Sequence, residues 1–249
     1  RLCDVDKQFY LDYIDWLRSS CKTAWGKPVS PKTAHSYYTT LRTALNEAVR
    51  ENLIASNPWY RLEMTEKIKV PESKRDFLTI EEIKRMMATP FFNEQVRQAY
   101  LFSCFCGLRI SDIRKLRWRD LSMSGGQWRA SVVMTKTIHP VYIPLSSQAV
   151  KWLPERGDCT PDGLVFGGLP NEGNLCVNLK NWAEKAGVKK NVTFHTARHS
   201  CAVLLLTLGA DIYTVSKILG HRSVRSTQVY AKIVDKKKDD AIALVDNAF

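Results

Sequence analysis

The segment from Met64 to Asp76 constrains the architecture most, because it divides the chain into two parts. It is charged, contains a proline and shows no helical or strand periodicity. The residues Thr79 to Glu82 then form a capping-box pattern, which predicts the start of a new helix. A chain of 249 residues can hold two modest domains, each with its own core. We therefore predict the following division: a domain at 1–65, a linker at 66–76 and a domain at 77–249.

Apolar residues recur mostly at helical spacing, which predicts a mainly α fold with a small antiparallel β-sheet (α+β). Ser30 has the properties of an N-cap and is followed by Pro31, a residue favoured in the first helical turn. Two β-type segments, 128–134 and 141–144, flank a predicted hairpin turn at 135–140. Helices are predicted at about 4–20, 31–52, 79 onward, 94–106, 110 onward, 175–186, 196–208, 212–219, 224–233 and 238–248.

The formal net charge of +12 favours a polyanionic partner. Lys and Arg are spread along the whole chain rather than collected on one amphipathic helix, so nucleic acid is favoured over a membrane surface. No apolar run approaches the ~20 residues that cross a bilayer, and no signal-peptide pattern is present. We expect no membrane association and a cytoplasmic location at the nucleoid.

The metal-ligand residue types do not form a convincing metal site. The seven cysteines include no CxxC pair, which favours free buried thiols in a reducing compartment. His195 and His199 are four residues apart, a spacing that can bind zinc, but no glutamate follows His195 as the zinc-protease signature requires. A hydrogen-bonded structural role is favoured for His199. We expect neither a metal nor another cofactor.

Five short signals could carry chemistry, although each taken singly is compatible with a plain structural role. An arginine after a glycine can be a surface charge, a hairpin lysine usually solubilises, and most tyrosines only pack. His195 and Arg198 are three residues apart, so on a helix they can address one anion. The five signals are Cys106–Asp112, Lys136 at the hairpin tip, His195–His199, Leu219–Arg222, and Tyr230, nine residues after His221.

In this order and spacing, these signals resemble the tyrosine recombinases, the integrase family of phage and bacterial mobile elements. The resemblance covers residues from about 77 to 249 as a catalytic domain and from about 1 to 65 as a helical core-binding, DNA-binding domain. Its most specific part runs from His195 to Tyr230. It places the following residues at catalytic positions: Arg109, Lys136, His195, Arg198, His221 and the nucleophile Tyr230, with Asp112 in support.

The resemblance implies a site-specific recombinase that cleaves and rejoins DNA strands through a covalent 3′-phosphotyrosine intermediate. Two arginines suit an anionic phosphodiester, because their forked N–H donors bind its oxygens and the guanidinium group keeps its positive charge. His195 would act as base or proton shuttle, and Lys136 would protonate the departing 5′ oxygen. His221 would donate a hydrogen bond to the phosphate.

The implied partners are double-stranded DNA at core recombination sites, other copies of the chain in a tetramer on synapsed DNA, and accessory DNA-bending proteins. Lys32 and Arg42 are candidate DNA contacts, although a solvated helix face explains them equally well. The last helix would dock on a neighbouring subunit. The alternatives are a type IB topoisomerase-like relaxing enzyme, a catalytically inactive DNA-binding regulator and, weakest, a zinc hydrolase. Integration, excision and dimer resolution are all compatible with the resemblance.

Overall fold

The computed structural model describes residues 4–70, 75–135 and 140–231. The chain divides into two compact units, residues 1–74 and 75–249, and each is described by itself. The predicted fold class, mainly α with a small antiparallel sheet, is confirmed. Within the described ranges, no helix has both the length and the apolar character that spanning a bilayer requires. Lys136 and the predicted helix at 238–248 lie outside these ranges.

The first unit is built from two α-helices and a short 3-10 helix. Helix α1 is Lys7–Ser19 and starts after Asp6, whose side chain accepts a hydrogen bond from the Phe9 N–H. Helix α2 is Pro31–Arg50, and Ser30 caps it as predicted. The short 3-10 helix is Pro58–Arg61 and starts after Asn57, whose side chain accepts a hydrogen bond from the Trp59 N–H.

The core of the first unit lies between α1 and α2. The Tyr10 and Tyr38 rings meet edge to face, with their centres 6.4 Å apart. Asn57 ties the 3-10 helix to α2, because its side-chain amide donates to the Arg42 carbonyl and to the Asn46 side chain. Other buried residues of this core are Ile14, Leu17, Cys21, Ala34, Leu45 and Leu62.

The second unit carries eight α-helices within the described residues. Its first helix begins after Thr79, and the predicted capping box with Glu82 is present. The helices are α3 Ile80–Ala88, α4 Glu94–Cys106, α5 Ile110–Ile113, α6 Ser147–Val150, α7 Glu172–Lys185, α8 Phe194–Thr207, α9 Ile212–Ile218 and α10 Arg225–Ala231.

One antiparallel sheet of three strands, in the order β1-β2-β3, completes the second unit. The strands are β1 Leu121–Ser124, β2 Gln127–Val133 and β3 Pro140–Pro144. Strands β2 and β3 match the two predicted β segments to within one residue at each end, and the pair Val133–Pro140 stands where the predicted hairpin begins. Strand β1, which pairs with β2, was not predicted.

Helices α4 and α8 pack together in the interior of the second unit. Eight of the thirteen residues of α4 are buried, and its last two turns are enclosed almost entirely, whereas its first turn is exposed at Glu94 and Gln95. Helix α8 is buried along most of its length in the same way. Helix α8 and the segments that follow α4 and α9 carry most of the residues to which the sequence assigns chemistry.

Candidate active site

Arg198 lies where three segments of the second unit meet. It belongs to α8 and is only 2% exposed. Its Nη1 donates to the Gly107 carbonyl at 2.8 Å and its Nη2 to the Leu219 carbonyl at 2.5 Å. Gly107 directly follows α4, and Leu219 directly follows α9. Two of the five guanidinium N–H donors are therefore used to fix the orientation of the group.

Two glycines allow the backbone to approach closely at this point. Gly107 has φ +74°, and a Cβ atom there would lie 2.6 Å from Cδ2 of Leu219. Gly220 has φ +62°, and a Cβ atom there would lie 3.0 Å from side-chain atoms of both Met134 and Val141. Only glycine combines a left-handed conformation with this lack of bulk. The glycines thus bring the α4 end, the α9 end and the sheet within contact distance.

Asp112 connects the first predicted arginine to the end of the sheet. Its carboxylate is buried and accepts backbone N–H groups from Arg109, at 3.3 Å, and Thr135, at 2.9 Å. The Arg109 guanidinium lies 4.0 Å from the same carboxylate and 3.8 Å from the Met134 sulfur. Asp112 therefore fixes both the backbone of Arg109 and the residue that precedes Lys136.

The histidines occupy two neighbouring places. His221 follows α9, and its Nδ1 lies 2.7 Å from Oγ1 of the buried Thr227, which sits on α10. His195 and His199 are one turn apart on α8, and their ring centres are 4.6 Å apart at an interplanar angle of 86°. His195 is exposed, whereas His199 is buried.

The Tyr230 hydroxyl points into this group of residues from α10. The side chain is 1% exposed, and its hydroxyl forms a short hydrogen bond with Nδ1 of His199. A second partner is Arg75, whose Nη1 donates to the same oxygen at 3.3 Å. The Arg75 guanidinium carbon also lies 5.6 Å from the centre of the tyrosine ring.

The site concentrates positively charged side chains, and burial, together with these charges, lowers the pKa values of three of its members. Burial, and then the neighbouring Arg109, lower the pKa of Arg198 to about 10. Burial is also the main cause that lowers the pKa of His199 to about 3, with the adjacent His195 next. The pKa of His221 falls to about 4 through burial and then Arg198. Both imidazoles are therefore neutral near pH 7 between guanidinium groups that remain charged, an arrangement suited to an anion.

The structure brings together most of the residues to which the resemblance assigns catalysis. Arg198 interacts electrostatically with Arg109, Asp112 and Tyr230, and His221 does so with Arg198, Arg109 and His195. These side chains come from α5, α8, α10 and the turn after α9, so the fold gathers them from distant parts of the sequence. Lys136 lies outside the described residues.

Two residues of the site were missed by the sequence reasoning. His199 was interpreted as a hydrogen-bonded histidine, but its partner could not be named, and that partner is the Tyr230 hydroxyl. Arg75 stood unremarked within the predicted linker. One of several basic residues in a charged segment carries no signal that separates it from its neighbours. Among the described residues, no group of three or more His, Cys, Asp or Glu side chains could hold a metal ion.

Comparison with known proteins places the chain in a family. Residues 76–237 match the model of the phage integrase family, and residues 1–69 match the phage integrase SAM-like domain. A tyrosine recombinase of Thermosipho africanus is 31% identical over 232 residues, which cover 87% of this chain and 77% of the relative. The tyrosine recombinase XerD of Pseudomonas putida is 26% identical over 250 residues, covering 93% of this chain and 79% of the relative.

Solved structures share the fold. The XerH site-specific recombinase bound to a palindromic difH substrate, in a post-cleavage complex, matches with a TM-score of 0.73 at 18% identity. That match covers 98% of this chain and 74% of XerH. The Tn1549 transposon integrase in complex with transposon right end DNA matches with a TM-score of 0.71 at 16% identity, covering 92% and 82% of the two chains. The chain belongs to the phage integrase family of tyrosine recombinases, a family of DNA strand-transferring enzymes.

Proposed function

We propose that this protein is a site-specific recombinase that cleaves and rejoins DNA strands through a 3′-phosphotyrosine intermediate on Tyr230. The observation that carries the proposal is the position of the Tyr230 hydroxyl in the pocket of guanidinium and imidazole groups described above. A phenolic oxygen is a nucleophile, and fixed cations offset the charge that develops at phosphorus.

Arg109, Arg198 and His221 would bind the scissile phosphate. Two N–H donors of Arg198 are held by carbonyls, which leaves the guanidinium with a fixed direction for its other donors. Neutral His221 has a second ring nitrogen besides the one beside Thr227, and this nitrogen can donate to a phosphate oxygen. Preorganised donors of this kind need no rearrangement as the reaction proceeds.

The cleavage step exchanges one phosphate ester for another. The Tyr230 oxygen forms a bond to phosphorus, and the bond from phosphorus to the 5′ oxygen breaks. The phenolic proton leaves with His195 as base or shuttle, and the 5′ oxygen takes up a proton from Lys136. The phosphotyrosine ester keeps the energy of the broken phosphodiester bond. Attack by a 5′-hydroxyl of another strand therefore rejoins the DNA without a nucleotide cofactor. Asp112 supports Lys136 by holding the preceding residue, Thr135.

Double-stranded DNA is the proposed substrate. The charge of +12 supports a polyanionic partner, and the matching XerH and Tn1549 integrase structures contain DNA. Residues 1–65 would form the core-binding domain, 66–76 the linker and 77–249 the catalytic domain. Within the first of these, Lys32 is exposed on the first turn of α2. Arg42 is half-buried, with its guanidinium carbon 4.8 Å from the centre of the Trp59 ring.

Salt-dependent binding tests these two contacts. Lys32→Ala and Arg42→Ala should each make the log–log salt slope of DNA binding shallower by about one unit. Thr40→Ala, an uncharged change on the exposed side of the same helix, should leave the slope unchanged. Thermal melting of Arg42→Ala is measured alongside, because this side chain also packs on Trp59. An unchanged slope removes the residue from the DNA interface.

We propose that four copies assemble on two DNA duplexes, with residues 238–249 of one copy docking on the next and accessory DNA-bending proteins assisting. Deletion of 238–249 should then reduce the size of the DNA complex measured by analytical ultracentrifugation. An assembly of unchanged size would contradict the docking.

Trapping on a nicked suicide substrate tests the function itself. The wild-type protein should form a covalent DNA adduct that maps to Tyr230, and Tyr230→Phe should form none. Tyr213→Phe is a matched control, because that tyrosine is exposed on α9 and should be dispensable. A substrate with two sites then distinguishes recombinant product from relaxation alone. Absence of any wild-type adduct would indicate a DNA-binding protein without this chemistry.

A further inference from the structure

The Tyr230 hydroxyl has two partners that lie outside the set of catalytic positions implied by the resemblance. His199 contacts it from α8, and Arg75 contacts it from the first residue of the second unit. The hydroxyl is thus engaged on two sides, by an imidazole nitrogen and by a guanidinium N–H. Neither contact is needed to bind a phosphate, so each requires its own explanation.

His199 cannot act as an effective base here. Its pKa of about 3 means that it binds a proton poorly, whereas a phenol ordinarily has a pKa of about 10. It is nevertheless a good hydrogen-bond acceptor, because neutral imidazole keeps one unprotonated nitrogen. The edge-to-face contact with His195, at 4.6 Å between ring centres, and the burial of the ring hold that nitrogen in place. Its contribution is therefore to hold the phenolic oxygen in position until the proton is removed.

Arg75 supplies a positive charge beside the Tyr230 oxygen, which the neutral His199 imidazole does not. A cation that donates to an oxygen favours the ionised form of that oxygen. Arg75 is half-buried, donates to the Tyr230 oxygen at 3.3 Å, and is close enough to His199 to help keep that ring uncharged. Arg198, by comparison, directs two donors to backbone carbonyls. Arg75 is thus the guanidinium placed to serve the nucleophile.

We propose that Arg75 and His199 are positioning residues for the nucleophile: His199 holds the Tyr230 oxygen in place through its hydrogen bond, and Arg75 offsets the negative charge that this oxygen acquires as its proton leaves. The inference rests on the proposed function, because it assigns roles in the same strand cleavage. It predicts that the two residues affect the formation of the covalent adduct and leave DNA affinity unchanged.

The pH profile of adduct formation tests Arg75. On the suicide substrate, Arg75→Gln should form the adduct at least tenfold more slowly near pH 7. This loss of rate should become smaller as the pH is raised, because a less acidic solution makes up for the missing cation when the phenolic proton leaves. Arg75→Lys, which keeps the charge, should restore most of the rate. Arg85→Gln is the matched control, since Arg85 lies on α3 and its Nη1 donates to the Gly187 carbonyl.

Replacement of Tyr230 by a fluorinated tyrosine, whose phenol is more acidic, provides a second test. In the Arg75→Gln background this replacement should recover at least part of the lost rate and return the pH profile toward that of the wild type. A slow Arg75→Gln variant with an unchanged pH profile and no recovery would mean that Arg75 only supports folding, which would overturn its assigned role.

His199 is tested by the contrast between two substitutions. His199→Gln retains a neutral acceptor and should keep the adduct rate within about tenfold of the wild type, whereas His199→Ala should lose more than that. Equal rates for wild type and His199→Ala would refute this part. The proposed function fails separately: if Tyr230→Phe still forms the adduct, the nucleophile is wrong. If only Arg75→Gln and His199→Ala behave like the wild type, the positioning roles alone are wrong.

Discussion

The buried histidine beside the nucleophile should make the folded protein sensitive to acid. His199 is 9% exposed, and its pKa is lowered from 6.5 to about 3, mainly by burial. Between these two values the unfolded chain carries a proton on this ring that the folded chain does not. The free energy of unfolding therefore increases with pH across this interval, and the stability is lost as the pH falls below about 6.5.

The size of the effect follows from these two pKa values. One pKa unit corresponds to about 1.4 kcal/mol. Lowering the pH from about 7 to about 5 protonates the unfolded imidazole almost fully and leaves the folded one neutral. The folded state should lose about 2 kcal/mol from His199 alone. His221, with a pKa lowered to about 4, changes stability in the same direction.

Urea denaturation at about pH 7, 6 and 5 measures this loss. His199→Gln places a neutral acceptor where the imidazole stands, so its unfolding free energy should fall less steeply with acid than that of the wild type. The difference between the two proteins isolates this residue, since the other titrating groups are common to both. The difference should change by about 2 kcal/mol between pH 7 and pH 5. Parallel pH dependences would refute the reasoning.

Three further substitutions have defined outcomes. Asp112→Asn should lower the free energy of unfolding by about 1–3 kcal/mol and slow adduct formation at least tenfold. The two carboxylate oxygens accept the N–H groups of Arg109 and Thr135, whereas the amide of asparagine has a single acceptor oxygen. Chemical denaturation and suicide-substrate kinetics measure the two effects. Gly107→Ala should destabilise the fold by about 1–3 kcal/mol in the same denaturation assay, since the added methyl carbon would meet Leu219 at 2.6 Å in a left-handed conformation. Arg198→Lys should reduce the adduct rate by a factor of about 10²–10³ in quenched single-turnover assays, because a single ammonium cannot hold both carbonyls and the phosphate.

The helices were predictable because their ends are marked in the sequence. Ser30 with Pro31, and Thr79 with Glu82, are local capping signals, and both work as the pattern indicates. Strand β1 was missed because it is only four residues long, and its alternation of apolar and polar residues is too short to identify a strand. Its pairing with β2 decides its conformation, and this pairing cannot be seen in a local window.

The candidate site was predictable as a set of residues, although its contacts were not. Spacing on one helix places His195 and Arg198 together, and family resemblance adds Arg109, His221 and Tyr230. The carbonyl partners of Arg198 and the tyrosine partner of His199 depend on how α4, α8, α9 and α10 pack. Such contacts join residues 21 to 91 positions apart along the chain, and no sequence pattern of short range contains them.

The way Arg198 is held has a consequence for dividing the protein into fragments. Its guanidinium is oriented by the Gly107 carbonyl, 91 positions earlier, and by the Leu219 carbonyl, 21 positions later. A piece that stops before residue 219, or one that starts after residue 107, lacks one of these two acceptors. The Arg198 guanidinium is then no longer held in its orientation. Strand-cleavage activity should therefore report whether the whole second unit has folded. Two separately expressed halves of this unit should regain activity only when they are refolded together.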